Sequence, residues 1–369
     1  MRVALIHDWL TGMRGGERVL EALIDIFPDA DIFTLVHVPG SVSERIESRP
    51  IHVSALDALP LSARFYRHAL PMLPALVQRF DLRRYELVVS SSHCVAKGAI
   101  APPGVPHVSY CHTPMRYVWD QFETYFGRGR ASVPVRLAMR TVAPRLRAWD
   151  RASTRRITSL IANSKHVRAR IASCWNRDAA VVHPPVEIDR FRPAAEREDL
   201  YLSLGALVPY KRVDLTIEAF RGSDRRLLVI GDGPDHDRLR SMAGSNVRFL
   251  GRVDDAEVAD WLGRCRALVH SGVEDFGIAL VEALAAGAPV IAFGEGGAAE
   301  ILAGSDPAAP ATGVLFHEQS PAGLRGALDA FETQSFDAGV MRARARDFTP
   351  DRFHSGVRSI VQPLLAAAA

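Results

Sequence analysis

Short apolar runs recur along this chain, and most are followed by a glycine-containing or polar turn and then an apolar-periodic segment. The clearest case is residues 267–302, whose pattern predicts strand, loop, helix, strand, loop and helix. This alternation indicates parallel sheets, with the loops at the carboxyl edge where α/β proteins bind ligands. The predicted strands are residues 2–7, 32–36, 87–90, 107–111, 160–164, 200–204, 227–230, 247–253 and 267–270.

The length of 369 residues is enough for two domains that each bury a core. Residues 180–191, AVVHPPVEIDRF, contain a double proline and close the first domain, and the polar residues 194–199 predict a short linker. We therefore predict an amino-terminal domain of residues 1–190, a carboxy-terminal domain of residues 191–346, and an amphipathic terminal helix over about residues 347–369.

Composition excludes several classes of protein. A hydrophobic fraction of 48% and a charged fraction of 24% are typical of a globular protein, and a net charge of +3 does not by itself suggest nucleic-acid binding. The four cysteines show no CxxC spacing, which argues against a zinc site or a disulfide framework. Residues 3–6 are apolar, but His7 and Asp8 interrupt the run, so we expect a buried strand rather than a signal peptide. A cytoplasmic protein is expected, with room for peripheral contact with the inner face of the membrane.

Glu274 and Glu282 are the first candidates for site chemistry. If both lay on one helix, they would be roughly 80° apart around it and roughly 12 Å apart along its axis. They can serve one ligand only if Glu274 lies on the loop before the helix. Asp275 is a candidate N-cap, and a helix that starts near Gly277 would offer free amides to an anion.

Paired cations lie at the end of the predicted strand 200–204. Lys211 and Arg212 come just before an apolar-periodic segment, at the carboxyl edge of the predicted sheet. A lysine and an arginine there suit a diphosphate, and a surface basic pair is the alternative. The turn at Gly231 should lie along the same edge.

Glycine pairs stand at two predicted helix starts. Gly15 and Gly16 follow the first strand, and Gly296 and Gly297 follow Phe293. Backbone amides at such turns can approach an anionic ligand closely, although a simple tight turn explains Gly15 and Gly16 equally well.

His112 follows the predicted strand 107–111, so it should lie at the sheet edge. Pro114 forces Thr113 into an extended conformation, which excludes a helix start there. A histidine at a strand end can donate or accept a hydrogen bond at neutral pH, and a purely structural histidine is an equal alternative.

Arginines recur at helical spacing within residues 127–156, where Asp150 is the only acid. Such a basic amphipathic surface suits anionic lipid head groups or a lipid-linked diphosphate. The alternative is a solvated helix whose arginines pair with acids elsewhere. Nucleic acid is a poorer explanation, because no stacking-aromatic pattern accompanies the charge. The predicted membrane-facing residues are Arg136, Arg140, Arg147 and Arg151.

Four phrases resemble retaining glycosyltransferases of the GT-B fold, in particular family 4. They are EDFGIALVE (274–282), VPYKRVDL (208–215), HPPVEIDRF (183–191) and CHTPMRYVWD (111–120). The last phrase is similar to a subgroup that includes bacterial mannosyltransferases of O-antigen and exopolysaccharide assembly.

The resemblance implies two facing Rossmann-like domains with parallel sheets and a deep cleft between them. The first domain would hold the acceptor, the second a nucleotide-diphosphate sugar, and the terminal helix would pack back on the first domain. The implied reaction moves a hexose, with mannose from GDP-mannose the expected donor, to a saccharide or polyprenyl-diphosphate-linked acceptor in cell-surface polysaccharide synthesis. Metal independence and no cofactor are expected, because the cations supply the charge that a metal would and no DxD-like pair stands in a suitable loop.

Roles of individual residues also follow from the resemblance. His112 would orient the transferred sugar, Lys211 would stabilise the departing diphosphate, and Glu274 would hold sugar hydroxyls. Glu282 would bind the ribose, and the backbone of residues 251–253 would contact the base. The predicted catalytic residues are His112, Lys211 and Glu274, and the predicted donor-binding residues are Gly15, Gly16, Arg212, Gly231, Arg252, Val253, Asp275, Phe276, Gly277, Ile278 and Glu282.

The sequence departs from the family pattern at Ala206, where many members have an arginine that contacts the donor phosphates. Either Arg212 or Arg252 replaces it, or diphosphate affinity is reduced.

Ala206 also suggests an alternative function, a non-catalytic nucleotide-sugar-binding or scaffold protein. A second alternative is another GT-B enzyme, such as an epimerase or a phosphorylase, although a phosphorylase needs a lysine for pyridoxal phosphate and the chain has only three lysines. A dehydrogenase is disfavoured without GxGxxG.

Overall fold

The computed structural model describes residues 1–303 and 311–368, and the chain divides into two compact units. Unit 1 comprises Met1–Pro185 and Pro350–Ala369, and unit 2 comprises Val186–Thr349. Ala369, the predicted end of the terminal helix, lies outside the described residues. The divisions fall a few residues from the predicted positions 190 and 346. One reason is that the Val186 N–H donates to the Phe348 carbonyl at 2.8 Å, which ties residue 186 to unit 2.

The described residues of unit 1 form a sheet of seven parallel strands in the order β3-β2-β1-β4-β5-β6-β7. Its central strands are almost completely buried, as expected for a parallel sheet covered on both faces. The strands are β1 (Val3–His7), β2 (Asp31–Thr34), β3 (Ile51–Val53), β4 (Leu87–Ser92), β5 (His107–Cys111), β6 (Ser159–Ala162) and β7 (Ala180–Val181).

Helices connect and cover these strands. The apolar stretch 60–80 forms short helical pieces, and Pro71 lies between two of them, because proline interrupts helical hydrogen bonding. The helices of this part are α1 (Gly15–Ile26), α2 (Glu44–Glu47), α3 (Ser62–Phe65), α4 (Leu73–Val77), α5 (Phe122–Phe126), α6 (Val133–Ser153) and α7 (Lys165–Trp175), with 3-10 turns at Tyr66–Ala69, Ala96–Gly98 and Thr154–Arg156.

Within residues 186–303 and 311–349, unit 2 repeats the arrangement with six parallel strands in the order β10-β9-β8-β11-β12-β13. The strands are β8 (Tyr201–Leu204), β9 (Leu227–Ile230), β10 (Val247–Gly251), β11 (Ala267–His270), β12 (Val290–Phe293) and β13 (Gly313–Phe316). The helices are α8 (Val213–Phe220), α9 (His236–Met242), α10 (Asp255–Arg264), α11 (Ile278–Ala285), α12 (Gly297–Ala303), α13 (Pro321–Glu332) and α14 (Ala338–Ala345), with 3-10 turns at Ile188–Arg190, Pro209–Lys211 and Arg346–Phe348.

Both sheets therefore have the Rossmann strand order, which confirms the predicted fold class of two parallel-sheet Rossmann-like units. In each sheet the strand order reverses beside the first strand of the unit, between β1 and β4 and between β8 and β11. Loops that leave these neighbouring strands turn to opposite faces, which opens a crevice at the carboxyl edge.

The last helix, α15 (Pro350–Ala368), belongs to unit 1. Phe353, Val357 and Val361 recur every four residues and are buried, so they form one apolar face. The Phe353 ring meets the Tyr110 ring edge to face at 5.5 Å, above the sheet of unit 1.

The polar residues 194–199 are not a linker, because Arg197 holds this segment against unit 2. Its two terminal nitrogens donate to four backbone carbonyls, those of Gly263, Cys265, Ala286 and Gly287. The polar character of Arg197 therefore serves hydrogen bonding to the backbone of unit 2, whereas Glu196 and Asp199 are exposed.

A buried ion pair anchors α6 within unit 1. Lys97, which is 2% exposed, contacts the carboxylate of Asp150, which is fully buried. The indole N–H groups of Trp119 and Trp175 donate to the other carboxylate oxygen of Asp150 at 2.8 and 2.6 Å, and Lys97 also donates to the Cys94 carbonyl at 2.9 Å. Since a buried charge is costly unless paired and hydrogen-bonded, this network holds four segments of the chain in one arrangement.

Replacement of Asp150 by Asn should lower the free energy of unfolding by about 3–5 kcal/mol, because it leaves the Lys97 ammonium buried without a counter-charge. Urea unfolding of the full chain, followed by tryptophan fluorescence, measures this change. Asp178→Asn is the control, since it removes the carboxylate of an exposed pair with Arg168 and should leave the transition almost unchanged. Equal losses in the two variants would contradict the anchoring role.

Candidate functional site

The carboxyl edge of unit 2 brings together two of the predicted catalytic residues. Lys211 ends the 3-10 turn after β8, and Glu274 lies in the loop after β11, the strand that pairs with β8. The Lys211 Nζ atom lies 2.7 Å from Oε1 of Glu274, and the two side chains keep 18% and 15% of their surface exposed. The predicted cation and carboxylate thus meet at the point where the strand order reverses.

Two glycines allow the loops to approach this closely. A Cβ atom at Gly272 would lie 2.7 Å from Cα of Lys211, which no ordinary side chain tolerates. A Cβ atom at Gly297 would overlap the carbonyl oxygen of Phe276. The loops after β8, β11 and β12 therefore stack backbone against backbone, and this fixes Lys211 beside Glu274.

His270 is a third member of this cluster, and the sequence reasoning missed it. It ends β11, four residues before Glu274, and its Nε2 atom lies 3.5 Å from Oε1 of Glu274. Burial lowers the pKa of His270 to about 4 against the opposing attraction of Glu274, so the imidazole is neutral at physiological pH. Its position at a strand end, the reasoning applied to His112, is the signal that could have identified it.

Ala206 occupies the position where many family members have a phosphate-binding arginine, so its neighbours show which cation could replace that arginine. The Lys211 ammonium packs over the neighbouring residue, since a Cβ atom at Gly205 would lie 3.0 Å from Nζ. Arg212 is directed to other partners, with Nε 3.3 Å from Asp214 Oδ1 and Nη1 3.4 Å from Gln319 Oε1. Lys211 is therefore the cation that the structure places beside this position.

The predicted phosphate-binding amides are partly occupied. The N–H of Gly231 donates to the Gly251 carbonyl at 2.8 Å, and the N–H of Gly297 donates to the Glu274 carbonyl at 2.8 Å. The prediction that the Gly297 amide serves a phosphate is wrong, because the Glu274 carbonyl already uses it, whereas the donor-binding role of Gly231 stays a prediction. In the neighbouring loop, Arg252 is exposed and Val253 packs against the core, so their contact with a base stays a prediction.

Helix α11 begins later than predicted. Its N-cap is Gly277, with φ +105° in the region that favours glycine, so the prediction of Asp275 as N-cap is wrong. Phe276 is 3% exposed and meets Phe348 edge to face at 5.5 Å, which places its side chain in the core, and its contact with a donor stays a prediction. Ile278 also packs against that core. The first-turn amides of α11 keep the anion-facing position that a helix start provides.

Glu282 has an arginine partner that the sequence reasoning did not single out. It lies on the second turn of α11, and Arg190 Nη2 is 3.4 Å from its Oε1 atom. The same guanidinium donates to Asp255 at 2.9 Å. Arg190 belongs to the phrase HPPVEIDRF, for which the sequence predicted the end of the first domain and no site residue.

The carboxyl edge of unit 1 holds a second cluster, which includes the predicted residue His112. Its Nε2 atom lies 2.8 Å from Oγ of Ser91, and the same Oγ lies 3.2 Å from Nδ1 of His7. Burial, with a smaller contribution from nearby His93, lowers the pKa of His112 to about 3, so the ring is neutral at physiological pH. A Cβ atom at Gly16 would lie 3.4 Å from the His7 ring and 3.8 Å from Nε2 of His112. The turn at Gly15 and Gly16, which opens α1, thus lies against both histidines.

Asp8 fixes the loop that follows β4 in this cluster. Its carboxylate is fully buried and accepts four backbone N–H groups, those of His93, Cys94, Val95 and Ala96. The His93 ring lies beside it, with Nδ1 3.1 Å from Oδ2. The two polar residues that end the first apolar run, His7 and Asp8, were the signal for this cluster.

Several residues of the phrase CHTPMRYVWD support the loop after His112. Trp119 donates to Asp150, and Asp120 accepts from Arg170 at 2.6 Å. Arg170 also contacts the Thr113 hydroxyl. These contacts give the phrase a structural explanation beyond His112 itself.

The predicted basic face of α6 is correct only in part. The Nε–H group of Arg147 donates to the Val118 carbonyl and that of Arg151 to the Cys174 carbonyl, so both guanidinium groups are held by the backbone of unit 1, although Arg151 is exposed. Arg140 is exposed and Arg136 partly exposed. They lie near three apolar residues that are 43–59% exposed, namely Val133, Val135 and Leu137.

Among residues 1–303 and 311–368, no helix combines the length and the apolar character that a membrane crossing requires.

Comparison with known proteins assigns each part of the chain to a glycosyltransferase family. The family described as Glycosyltransferase Family 4 matches residues 13–190, and the family described as Glycosyl transferases group 1 matches residues 186–348. The two matches together run from residue 13 to residue 348.

Curated relatives match over shorter stretches. A phosphatidyl-myo-inositol mannosyltransferase of Mycobacterium tuberculosis is 36% identical over 155 residues, 37% of this chain and 40% of that protein. A GDP-mannose-dependent alpha-(1-6)-phosphatidylinositol monomannoside mannosyltransferase of the same species is 34% identical over 171 residues, 38% of this chain and 44% of that protein. The matches thus span less than half the length of these relatives.

Solved structures are similar over the whole chain at low sequence identity, which supports the fold alone. Anabaena HepE in complex with UDP has a TM-score of 0.69 at 18% identity, covering 98% of this chain and 100% of that one. Sucrose-phosphate synthase from Thermosynechococcus elongatus has a TM-score of 0.72 at 16% identity, covering 100% of both chains. With its two Rossmann-like sheets and its two family matches, the chain belongs to the GT-B glycosyltransferases of family 4 and group 1.

Proposed function

We propose that this protein is a retaining glycosyltransferase that moves a hexose from a nucleotide-diphosphate sugar to a saccharide or lipid-linked saccharide in cell-surface polysaccharide synthesis. The observation that carries the proposal is the 2.7 Å contact between Lys211 and Glu274 at the reversal of strand order in unit 2. A donor of this class joins an anionic diphosphate directly to a hydroxyl-rich sugar. A cation and a carboxylate at one point match these two halves.

The chemistry expected of these residues is electrostatic and positional. In the proposed reaction the bond between the anomeric carbon and the diphosphate breaks, and the diphosphate leaves with the electron pair. The same carbon bonds to an acceptor oxygen, whose proton passes to the leaving phosphate. Lys211 and the first-turn amides of α11 would stabilise the charge that develops on the diphosphate, while Glu274 would hold sugar hydroxyls.

Glu282 and Arg190 suit the nucleoside end of the donor. A carboxylate accepts hydrogen bonds from ribose hydroxyls, and the guanidinium of Arg190 at 3.4 Å restricts its orientation. GDP-mannose is the donor that we propose, because two similar proteins are named as mannosyltransferases and one of them as GDP-mannose-dependent.

A screen of purified protein against GDP-mannose, GDP-glucose, UDP-glucose and UDP-galactose tests the function. We expect slow donor hydrolysis alone and faster turnover with a lipid-linked saccharide, with the donor's anomeric configuration kept in the product. A chelator should leave the rate unchanged if no metal is required. Binding without any turnover would instead favour a nucleotide-sugar-binding scaffold, and conversion of the donor sugar without an acceptor would favour an epimerase.

Lys211→Ala should lower kcat/KM by roughly 10²-fold or more, as the loss of a contact that stabilises transition-state charge does. Initial rates with the best donor measure the effect. Lys165→Ala is the matched control, because it removes another of the three lysines from an exposed position at the start of α7. Near-normal turnover in Lys211→Ala would remove this residue from the site.

Glu274→Gln should abolish transfer but spare affinity for the free nucleotide diphosphate, since the proposed contact is with the sugar. Calorimetric titration with GDP, beside the rate assay, separates the two effects. Glu218→Gln, at an exposed position of α8, is the control and should change neither quantity. A loss of GDP affinity in Glu274→Gln as large as the loss of activity would contradict the assigned role.

We also propose that the start of α6 contacts an anionic membrane surface, where a lipid-linked acceptor would reside. Two features support this: the exposed apolar residues Val133, Val135 and Leu137, and the arginines Arg136 and Arg140 on the same segment. Apolar side chains beside basic ones are typical of helices that lie in a lipid interface. Arg147 and Arg151 do not enter this proposal, because backbone carbonyls of unit 1 hold them.

Replacement of both Arg136 and Arg140 by Gln should weaken binding to phosphatidylglycerol vesicles by about 2 kcal/mol, or roughly 30-fold, since each basic residue near such a surface contributes about 1 kcal/mol. Sedimentation with vesicles measures the partition coefficient, and neutral phosphatidylcholine vesicles should show little difference. The double variant Arg352→Gln, Arg358→Gln removes the same charge from exposed positions of α15 and serves as control. Unchanged partitioning of the Arg136→Gln, Arg140→Gln variant would indicate that α6 is a solvated helix that does not bind the membrane.

A further inference from the structure

Four side chains at the carboxyl edge of unit 1 form a continuous polar chain that ends at His112. Glu17 Oε1 lies 3.6 Å from Nε2 of His7, an electrostatic contact longer than a hydrogen bond, and Nδ1 of His7 lies 3.2 Å from Oγ of Ser91. The same Oγ lies 2.8 Å from Nε2 of His112. The chain crosses from α1 through β1 and β4 to the end of β5, so no single stretch of sequence contains it.

Three members of the chain are shielded from water. His7 and Ser91 are each 1% exposed, and Glu17 is 3% exposed. The other Glu17 oxygen, Oε2, accepts the backbone N–H of Arg14 at 3.0 Å, which directs Oε1 toward His7. Burial acts to raise the pKa of the Glu17 carboxyl, but the contact with His7 outweighs it and the pKa is lowered. Glu17 is therefore an ionised acceptor at neutral pH.

The positions of the protons follow from the inventory of donors and acceptors. A carboxylate only accepts, so the His7 nitrogen that faces Glu17, Nε2, is the one that carries a proton, and in the singly protonated ring Nδ1 has a lone pair. Ser91 has one hydroxyl proton and gives it to that lone pair. The Ser91 oxygen then accepts from Nε2–H of His112, and the neutral His112 ring has its lone pair on Nδ1.

We propose that Glu17, His7 and Ser91 are positioning residues that hold His112 as its Nε2–H tautomer, so that Nδ1 can accept a hydrogen bond from a substrate hydroxyl. This proposal rests on the proposed glycosyl transfer, and it explains how the protein sets the tautomer of the histidine expected to contact the sugar. Two other titratable neighbours are Asp8 and His93, and Oδ2 of Asp8 lies 3.1 Å from Nδ1 of His93. The His93 ring centroid lies 6.5 Å from that of His7 and 6.4 Å from that of His112, so it flanks the chain without joining it.

Ser91→Ala tests the chain, and Ser90→Ala is a matched control on the same strand. Ser90 is also buried and also contacts a histidine, with Oγ 2.9 Å from Nε2 of His107, but it lies outside the chain. Long-range nitrogen–proton NMR spectra of ¹⁵N-histidine-labelled protein distinguish the two neutral tautomers, and His112→Gln assigns the signals. We expect His112 to be the Nε2–H tautomer in the wild type and in Ser90→Ala, and a tautomer mixture in Ser91→Ala.

Kinetics provide the second readout. Ser91→Ala should lower kcat for transfer about tenfold, equivalent to about 1.4 kcal/mol, with little change in the donor KM. Glu17→Ala should also give a mixture of His112 tautomers. This variant provides the test if Ser91→Ala folds poorly. Glu21→Ala, one turn later on α1, removes a carboxylate that accepts from Ser43 and should leave His112 unchanged.

Three results would overturn the proposal. One is a wild-type His112 that carries its proton on Nδ1. A doubly protonated His7 would give this result, because it would donate to Ser91, and Ser91 would then donate to Nε2 of His112. Another is an unchanged tautomer in both Ser91→Ala and Glu17→Ala. The third is an equal loss of kcat in Ser90→Ala, which would indicate altered strand packing. If the wild type transfers no sugar at all, the proposed function is wrong. The spectra still show whether Glu17, His7 and Ser91 set the tautomer of His112, so the two failures can be told apart.

Discussion

Reversal of strand order is the constraint on which both candidate sites depend. In unit 1 the reversal lies between β1 and β4, and in unit 2 between β8 and β11. Because the loops that leave these strands turn to opposite faces, the residues just beyond the strand ends meet in one crevice. His7 and Ser91 meet at the first reversal, and Lys211 and Glu274 meet at the second.

Close approach of backbones determines how tightly the second crevice is built. Without side chains at Gly272 and Gly297, the loop carrying Glu274 lies directly against the loops before and after it. The same contacts consume amides that an isolated turn would offer to an anion, as the Gly297 N–H shows by donating to the Glu274 carbonyl. The crevice therefore presents Lys211 and Glu274 at the cost of some backbone donors, and the start of α11 retains the anion-facing amides.

Buried carboxylates perform the corresponding task in unit 1. Asp8 accepts four backbone N–H groups of the loop after β4, and Asp150 binds Lys97 and two tryptophan indoles. Each carboxylate satisfies groups from a distant part of the chain, so its burial is compensated by several charge-assisted hydrogen bonds. The loops that carry His93 and Trp119 are held by these acids, and through them the surroundings of His112 are determined.

The periodicity of the sequence by itself determined the alternation of strands and helices, and hence the two parallel sheets. It also determined that Lys211 and Glu274 lie at the carboxyl edge of one sheet and His112 at that of the other. Those inferences succeed because the direction of a parallel strand places every loop that follows one at the same edge. Family resemblance added the roles proposed for these residues. Only the tertiary structure decided which side chains meet there. It joined His270 to Glu274, Arg190 to Glu282 and Ser91 to His112. It also tied Arg147 and Arg151 to backbone carbonyls, and it made Gly277 rather than Asp275 the N-cap of α11. Such contacts join residues far apart in the chain or depend on local backbone geometry, and the pattern of apolar and polar positions along one element carries no information about the partner that another element brings to it.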